Sequence, residues 1–136
     1  MAVSHIFRCT RCPNEAGRVT IYAPGEAIPS GRTGETDQVM AMMANTGAGR
    51  ARLEVLSSLA NSTVFEFDLG SVLAAVGGGD ARSLYDLNLE YVPFWCPPCD
   101  ASYGARHWMT WDTFDEGFFD QKRGRCPVGH ERMLMD

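Results

Sequence analysis

Nothing in this chain of 136 residues approaches the ~18 consecutive apolar residues that a membrane-spanning helix needs; the longest apolar window, Val64 to Val76, is interrupted by Glu66 and Asp68. The opening residues, MAVSHIFRCTRC, lack the apolar core of a secretory signal, so the expected location is the cytoplasm. An excess of positive charge is also missing. Twelve Lys and Arg face 17 Asp and Glu, a formal charge of −5, which disfavours nucleic acid as a partner and leaves a protein as the expected one. The densest basic stretch, Lys122, Arg123 and Arg125 with Arg132 nearby, reads as a solvated loop, with a phosphate contact as its alternative. There is no phosphate-binding loop either: Gly77-Gly78-Gly79 lacks the preceding strand and the following Lys-Ser/Thr. The H-E-x-x-H and H-x-E…P-C-x-x-C signatures of zinc hydrolases and deaminases do not occur.

What remains is ordinary for a globular protein, 45% apolar and 21% charged, in a length that suits one domain over residues 1–136. The patterning predicts an α+β fold: a small antiparallel sheet, two or three short helices, and a C-terminal zinc-finger-like subdomain. A cysteine-free α+β insert occupies 18–90, between knuckles at 9–12 and 96–130. Arg18 to Ala23 alternates as a strand, and Pro24-Gly25 opens a loop over 24–36. Asp37 to Asn45 has the spacing of a short helix. Arg52 to Leu59 and Thr63 to Asp68 form a hairpin around Ala60-Asn61-Ser62. Leu69, Val72, Leu73 and Val76 fall on one helix face, which the three glycines terminate. Asp80 can cap a second helix that turns Leu84 and Tyr85 inward. Leu89 to Trp95 and His107 to Phe114 read as strands, the latter a core strand because a small domain must bury its Trp residues. Asp112, Asp115, Glu116 and Asp120 crowd the following turn.

The five cysteines are not scattered. Cys9 and Cys12 form one C-x-x-C, Cys96 and Cys99 another, and Cys126 is followed by His130. His107 lies between the last two pairs. An odd count without a secretory signal argues for metal or redox chemistry over disulfides. Zinc takes four nitrogen or sulfur ligands in a tetrahedron, and a tight turn points both members of a short-spaced pair at one ion. Two pairings are open. Cys96, Cys99, Cys126 and His130 share one local segment, which keeps loop closure cheap. Cys9, Cys12, Cys96 and Cys99 would instead tie the two ends of the chain together. The first pairing is favoured and leaves Cys9, Cys12 and His107 for a second ion, so one or two Zn2+ are expected.

WCPPC at 95–99 resembles the active-site motif of thioredoxin-like proteins. Those proteins place the first cysteine at the start of a long helix. Here DASYGARHWMTWD follows, without a helical apolar stripe, and the 37 residues after Cys99 are too few for the rest of that fold. The alternating order of ligand pairs resembles the cross-brace of RING-type zinc fingers, and the knuckles resemble treble-clef fingers. The latter resemblance implies a short helix, here over Glu131 to Met135. Gly104 stands where a cysteine three residues before His107 would complete eight ligands. His5, an Asp or water could take that place.

The function expected is a zinc-binding protein with structural metal, acting as a protein–protein interaction or regulatory module. Structural zinc suits a thin core, since apparent affinities of ~10–16 kcal/mol match or exceed the ~5–15 kcal/mol net stability of a domain. The alternatives are a zinc-dependent hydrolase using Cys9, Cys12 and His107 with Asp115 or Glu116 as base, and an RNA- or ribosome-associated finger using the basic stretch and exposed aromatics.

Overall fold

The computed structural model describes residues 2–23 and 51–136. The loop over 24–36 and the helix over Asp37–Asn45 lie outside the described residues. The rest is a mixed α+β arrangement of antiparallel sheets and two short helices.

The first sheet is a four-stranded antiparallel meander. Its strands are β1 (Val3–Arg8), β2 (Glu15–Tyr22), β3 (Arg52–Leu56) and β4 (Ser62–Val64), in that spatial order. Val19 lies opposite Val55 and Ile21 opposite Leu53, and all four are buried. Branched and large apolar residues on one face of a pleated pair make the core by direct cross-strand contact. The 52–68 hairpin forms, with shorter strands than the alternation suggests. Ser57 donates its N–H to Asn61 Oδ1 at 2.8 Å, which closes the loop early, and Phe65 and Phe67 fall beyond β4.

Helix α1 (Leu69–Gly77) packs against β1 and β2 through Val72, Ala75 and Val76. Leu69, expected on the buried face, is 42% exposed in the first turn. Helix α2 (Ala81–Leu87) begins at the expected cap, where Asp80 accepts the Ser83 N–H at 3.1 Å, and it buries Leu84. Neither helix is long and apolar enough to cross a membrane.

Leu89 to Trp95 is not a strand. A 3-10 turn covers Leu89–Tyr91, and only Trp95 enters β5 (Trp95–Cys96). Every residue from Tyr91 to Trp95 is nevertheless buried. Pro93 lacks the N–H a sheet ladder requires, and the segment serves as a core plug between sheets. Phe94 sits so close to β2 that a Cβ on Gly17 would lie 2.1 Å from the ring.

β5 pairs with β6 (Ala101–Ser102) as a short hairpin. A 3-10 turn at Ala105–His107 then leads to a three-stranded sheet of β7 (Met109–Asp115), β8 (Phe118–Arg125) and β9 (Glu131–Met135). Two expectations change here. Glu131 to Met135 is a strand, because Arg132 and Leu134 both turn inward with period two. β7 is an edge strand and not a core one: Trp111 is half-buried and Phe114 is 66% exposed.

Candidate metal centre

Two hairpin turns face each other at the first cluster. Cys96-Pro-Pro-Cys99 connects β5 to β6, and Cys126-Pro-Val-Gly-His130 connects β8 to β9. The first turn is closed by Asp100 N–H to Pro97 O at 3.1 Å. The second is closed by Cys126 N–H to His130 O at 2.9 Å and Gly129 N–H to Cys126 O at 3.0 Å. Gly129 has φ +109°, a conformation that side chains rarely adopt, which explains a glycine immediately before the histidine.

His130 Nδ1 lies 3.6 Å from Cys96 Sγ, 3.2 Å from Cys99 Sγ and 3.5 Å from Cys126 Sγ. Cys99 Sγ and Cys126 Sγ are 3.8 Å apart. Sulfurs at ~2.3 Å and a nitrogen at ~2.05 Å from one tetrahedral centre would be separated by roughly 3.8 Å (S···S) and roughly 3.6 Å (S···N). These four separations are close to those of a tetrahedral zinc shell, and all four donors lie within 4.8 Å of one another. The sulfur separation is far beyond the ~2.05 Å of a disulfide, and all five cysteines are free thiols.

Burial pushes the Cys96 thiol up to about 12, with Cys99 and Cys126 close enough to add to the shift. Burial also opposes ionisation of Cys126, but backbone N–H donors from His130, Val128 and Gly129 prevail and bring it down to about 6. One of these is visible directly, His130 N–H to Cys126 Sγ at 3.4 Å. A divalent cation among the thiols would remove the penalty on ionising the rest.

The second cluster is Cys9, Cys12 and His107, whose ligand atoms lie within 4.8 Å of one another. Cys9 and Cys12 follow β1 in a turn where Cys9 N–H reaches Asn14 O at 3.0 Å and Arg11 N–H reaches Cys9 Sγ at 3.4 Å. Thr10 fastens this turn to β6, donating both its N–H (3.0 Å) and its hydroxyl (2.6 Å) to Ser102 O. His107 ends the 3-10 turn, and its Nε2 is buried with no hydrogen-bond partner among the described residues. An orphaned imidazole nitrogen beside two thiols is what a metal ligand looks like before the metal is counted. Burial of Cys9 would raise its pKa, yet N–H groups of Gly104 and Arg11 with Cys12 alongside lower it.

The seven sequence-predicted residues thus fall into two clusters, Cys96, Cys99, Cys126 and His130, and Cys9, Cys12 and His107. Along the chain the clusters alternate. Among the described residues no carboxylate joins either one. His5 lies elsewhere, with its ring 4.6 Å from Phe7 and against Gly79. Asp115 and Glu116 are at the far end of β7, six residue steps or roughly 20 Å from Met109 at its start.

Residues 2–136 match the family described as Domain of unknown function (DUF8328). The chain belongs to that family. No curated protein and no solved structure matches it. Sequence reasoning passed over Tyr103 and grouped Arg132 with a solvated basic stretch, whereas both lie beside the first cluster. Tyr103 lies beside Cys99, and the thiol together with burial pushes the phenol up to about 12. Arg132 is buried, with its guanidinium donating to Leu89 O (2.8 Å), Val92 O (2.8 Å) and Trp95 O (2.5 Å) beside the first knuckle. A buried arginine has no sequence signature beyond its place in an alternating strand.

Proposed function

We propose that this protein is a structural-zinc protein whose metal clasps hold a compact single unit for contact with a protein partner. The observation that carries the reading is the set of donor separations around His130 Nδ1, 3.2 to 3.6 Å, with the 3.8 Å sulfur pair. Cys96, Cys99, Cys126 and His130 are the ligands of the first ion, and Cys9, Cys12 and His107 hold a second. Zinc is the metal that suits three thiolates and an imidazole in a tetrahedron. The alternating ligand order supports a cross-brace of the RING kind. The strand at Glu131–Met135 departs from the treble-clef pattern, since the second knuckle sits on a β-hairpin and not at a helix start. Five free thiols agree with a reducing compartment such as the cytoplasm.

A protein partner is favoured by the acidic balance and by the β7–β8 hairpin, where Phe114 and Phe118 are 66% and 78% exposed. The basic stretch gives little support to an RNA partner. Lys122 Nζ donates to Leu59 O at 2.8 Å, Arg123 to Gln121 Oε1 at 2.7 Å, Arg125 pairs with Glu131, and Arg132 is buried. The hydrolase alternative loses its proposed base, because Asp115 and Glu116 are remote from His107.

Native mass spectrometry of the full chain tests the metal, and circular dichroism after chelation tests its structural role. Bound zinc whose removal melts the fold is expected. A purified protein that is both folded and metal-free overturns the proposal.

A further inference from the structure

We propose that the Cys9–Cys12–His107 cluster is a zinc site with three protein ligands, and that its fourth coordination position, beside Gly104, takes a small exogenous donor: water at rest and a thiolate when one is offered. This rests on the zinc reading above and assigns the two sites different chemistry.

The contrast between the clusters carries the inference. The first offers four donors and closes its own tetrahedron. The second offers three among the described residues. Four-ligand zinc sites are structural, whereas three-ligand sites leave a position for solvent or substrate. The orphaned Nε2 of His107 is a third donor with nothing else to bond.

Gly104 marks where the fourth donor would belong. Its φ is −65° and its ψ 161°, an extended conformation open to any residue, so the backbone does not demand glycine. A Cβ built there would lie 4.0 Å from Cys9 Sγ, 4.0 Å from Cys9 Cβ and 4.0 Å from Glu15 O, all ordinary contacts, so packing does not demand glycine either. A cysteine at this position would carry its sulfur one ~1.8 Å bond further, within reach of the roughly 3.8 Å S···S separation of a shared zinc. The glycine thus withholds a donor from a place sterically ready for one. Cys12 and His107 are each partly buried, whereas Cys9, Gly104 and the Nε2 of His107 are buried, so the position admits only a small donor.

The site's chemistry follows from its donors. Two thiolates and a neutral imidazole cancel the dication's charge, leaving an ion soft enough to prefer sulfur. An incoming thiol binds through sulfur, its proton passes to solvent, and the zinc-bound water leaves. No redox change is involved. The ligand class is a small thiol.

Cobalt replaces zinc as a visible reporter in the full chain, at two equivalents, under a phosphine reductant. The reductant matters because a 4.0 Å Cβ···Cβ separation also fits a disulfide from Cys9 to a cysteine introduced at 104. Adding 2-mercaptoethanol should shift the visible bands of one cobalt per chain and leave the other unchanged. Cys9→Ser should remove the responding ion. Gly104→Cys should abolish the response and slow that ion's release to a chelator by roughly tenfold. Gly104→Ala adds bulk without a donor and should respond as the parent protein does. Two bound cobalts that ignore the thiol would overturn the inference, as would a response that persists in Gly104→Cys. A single ion that survives Cys9→Ser but not Cys126→Ser would overturn it alone and leave the first site standing. A chain that binds no metal at all would remove the zinc reading with it.

Discussion

The Tyr103 phenol lies beside the Cys99 thiol, which pushes it up to about 12, and a Cβ on the next residue, Gly104, would lie 4.0 Å from Cys9 Sγ. One dipeptide therefore borders both clusters. Its position is rigid, since Tyr103 N–H reaches Phe94 O at 2.9 Å and Tyr103 O accepts Trp108 Nε1 at 3.0 Å. The interleaved order of the two clusters thus meets at one point, and a disturbance there would reach either cluster.

Tyr103→Phe isolates the hydroxyl. The ring keeps its edge contact with Trp108, 6.3 Å between centroids, and its burial. Only the hydroxyl beside Cys99 is lost. Outer-shell donors are worth about 10–100-fold in metal affinity. Competition with a chromophoric chelator should show the first site weakened by roughly tenfold with the fold intact. An unchanged affinity would make Tyr103 a packing residue only.

Arg132→Met removes the cation shared by the buried carbonyls of Val92 and Trp95 and the half-buried carbonyl of Leu89. The guanidinium also lies over the Tyr85 ring at 5.1 Å. Losing it strands acceptors in the segment that leads to Cys96. Each orphaned buried group costs about 1–3 kcal/mol, so a loss of roughly 3 kcal/mol is expected in denaturant unfolding of the metal-loaded chain. Arg132→Lys should rescue little, because an ammonium cannot reproduce the planar fork. Recovery to within about 0.5 kcal/mol in the Lys variant would show that charge alone matters there.

The contrast between Val72 and Arg132 explains what the sequence could and could not disclose. Val72 belongs to an i, i+3, i+4 stripe ended by glycines, and α1 appears where that stripe lies. Spacing likewise brought out all three ligand pairs, because a tight turn fixes both donors locally. Arg132 is the buried member of an alternating strand, but a charged residue in that slot hides the period of two, so nothing in Glu131–Met135 opposed the helix that the treble-clef resemblance implied. Tyr91 to Trp95 fails for another reason. A run buried on every side has no periodicity to read, and Pro93 bars it from a ladder. In β7 the alternation gave the right element and the wrong environment, since an edge strand and a core strand share one pattern. Tyr103 stayed unread because a phenol four residues past Cys99 has no ligand signature, and the approach of Gly104 to Cys9 spans 95 residues of sequence.

Zinc binding to the first site should release protons at neutral pH. Burial holds the Cys96 thiol at about 12, so at pH 7 an entering cation must displace that proton. Cys126, brought down to about 6 by backbone N–H donors against its burial, is already mostly ionised. Apparent affinity therefore rises with pH, by tenfold per unit for each proton released. Below about 6 the Cys126 proton must leave as well, and the dependence steepens. Calorimetry in buffers of different ionisation enthalpy counts the protons directly. An affinity that is flat across neutral pH would contradict this ionisation pattern.

The β7–β8 hairpin offers the sharpest test of a protein partner. Phe118 and Phe114 are among the most exposed large apolar side chains, and Asp115 and Glu116 sit between them at the turn, with Glu116 in a left-handed conformation at φ 51°. Aromatic residues on an acidic turn suit a partner with an apolar cleft and a basic rim. Their exposure also means that the fold does not depend on them. Phe114→Ser with Phe118→Ser should leave stability within about 0.5 kcal/mol per site. Pull-down from the native host should lose a partner that the parent protein retains, while zinc content stays the same. A double variant that captures the same proteins as the parent would move the interaction surface off this hairpin. One that unfolds or loses zinc would instead show these aromatics to be part of the structure's support.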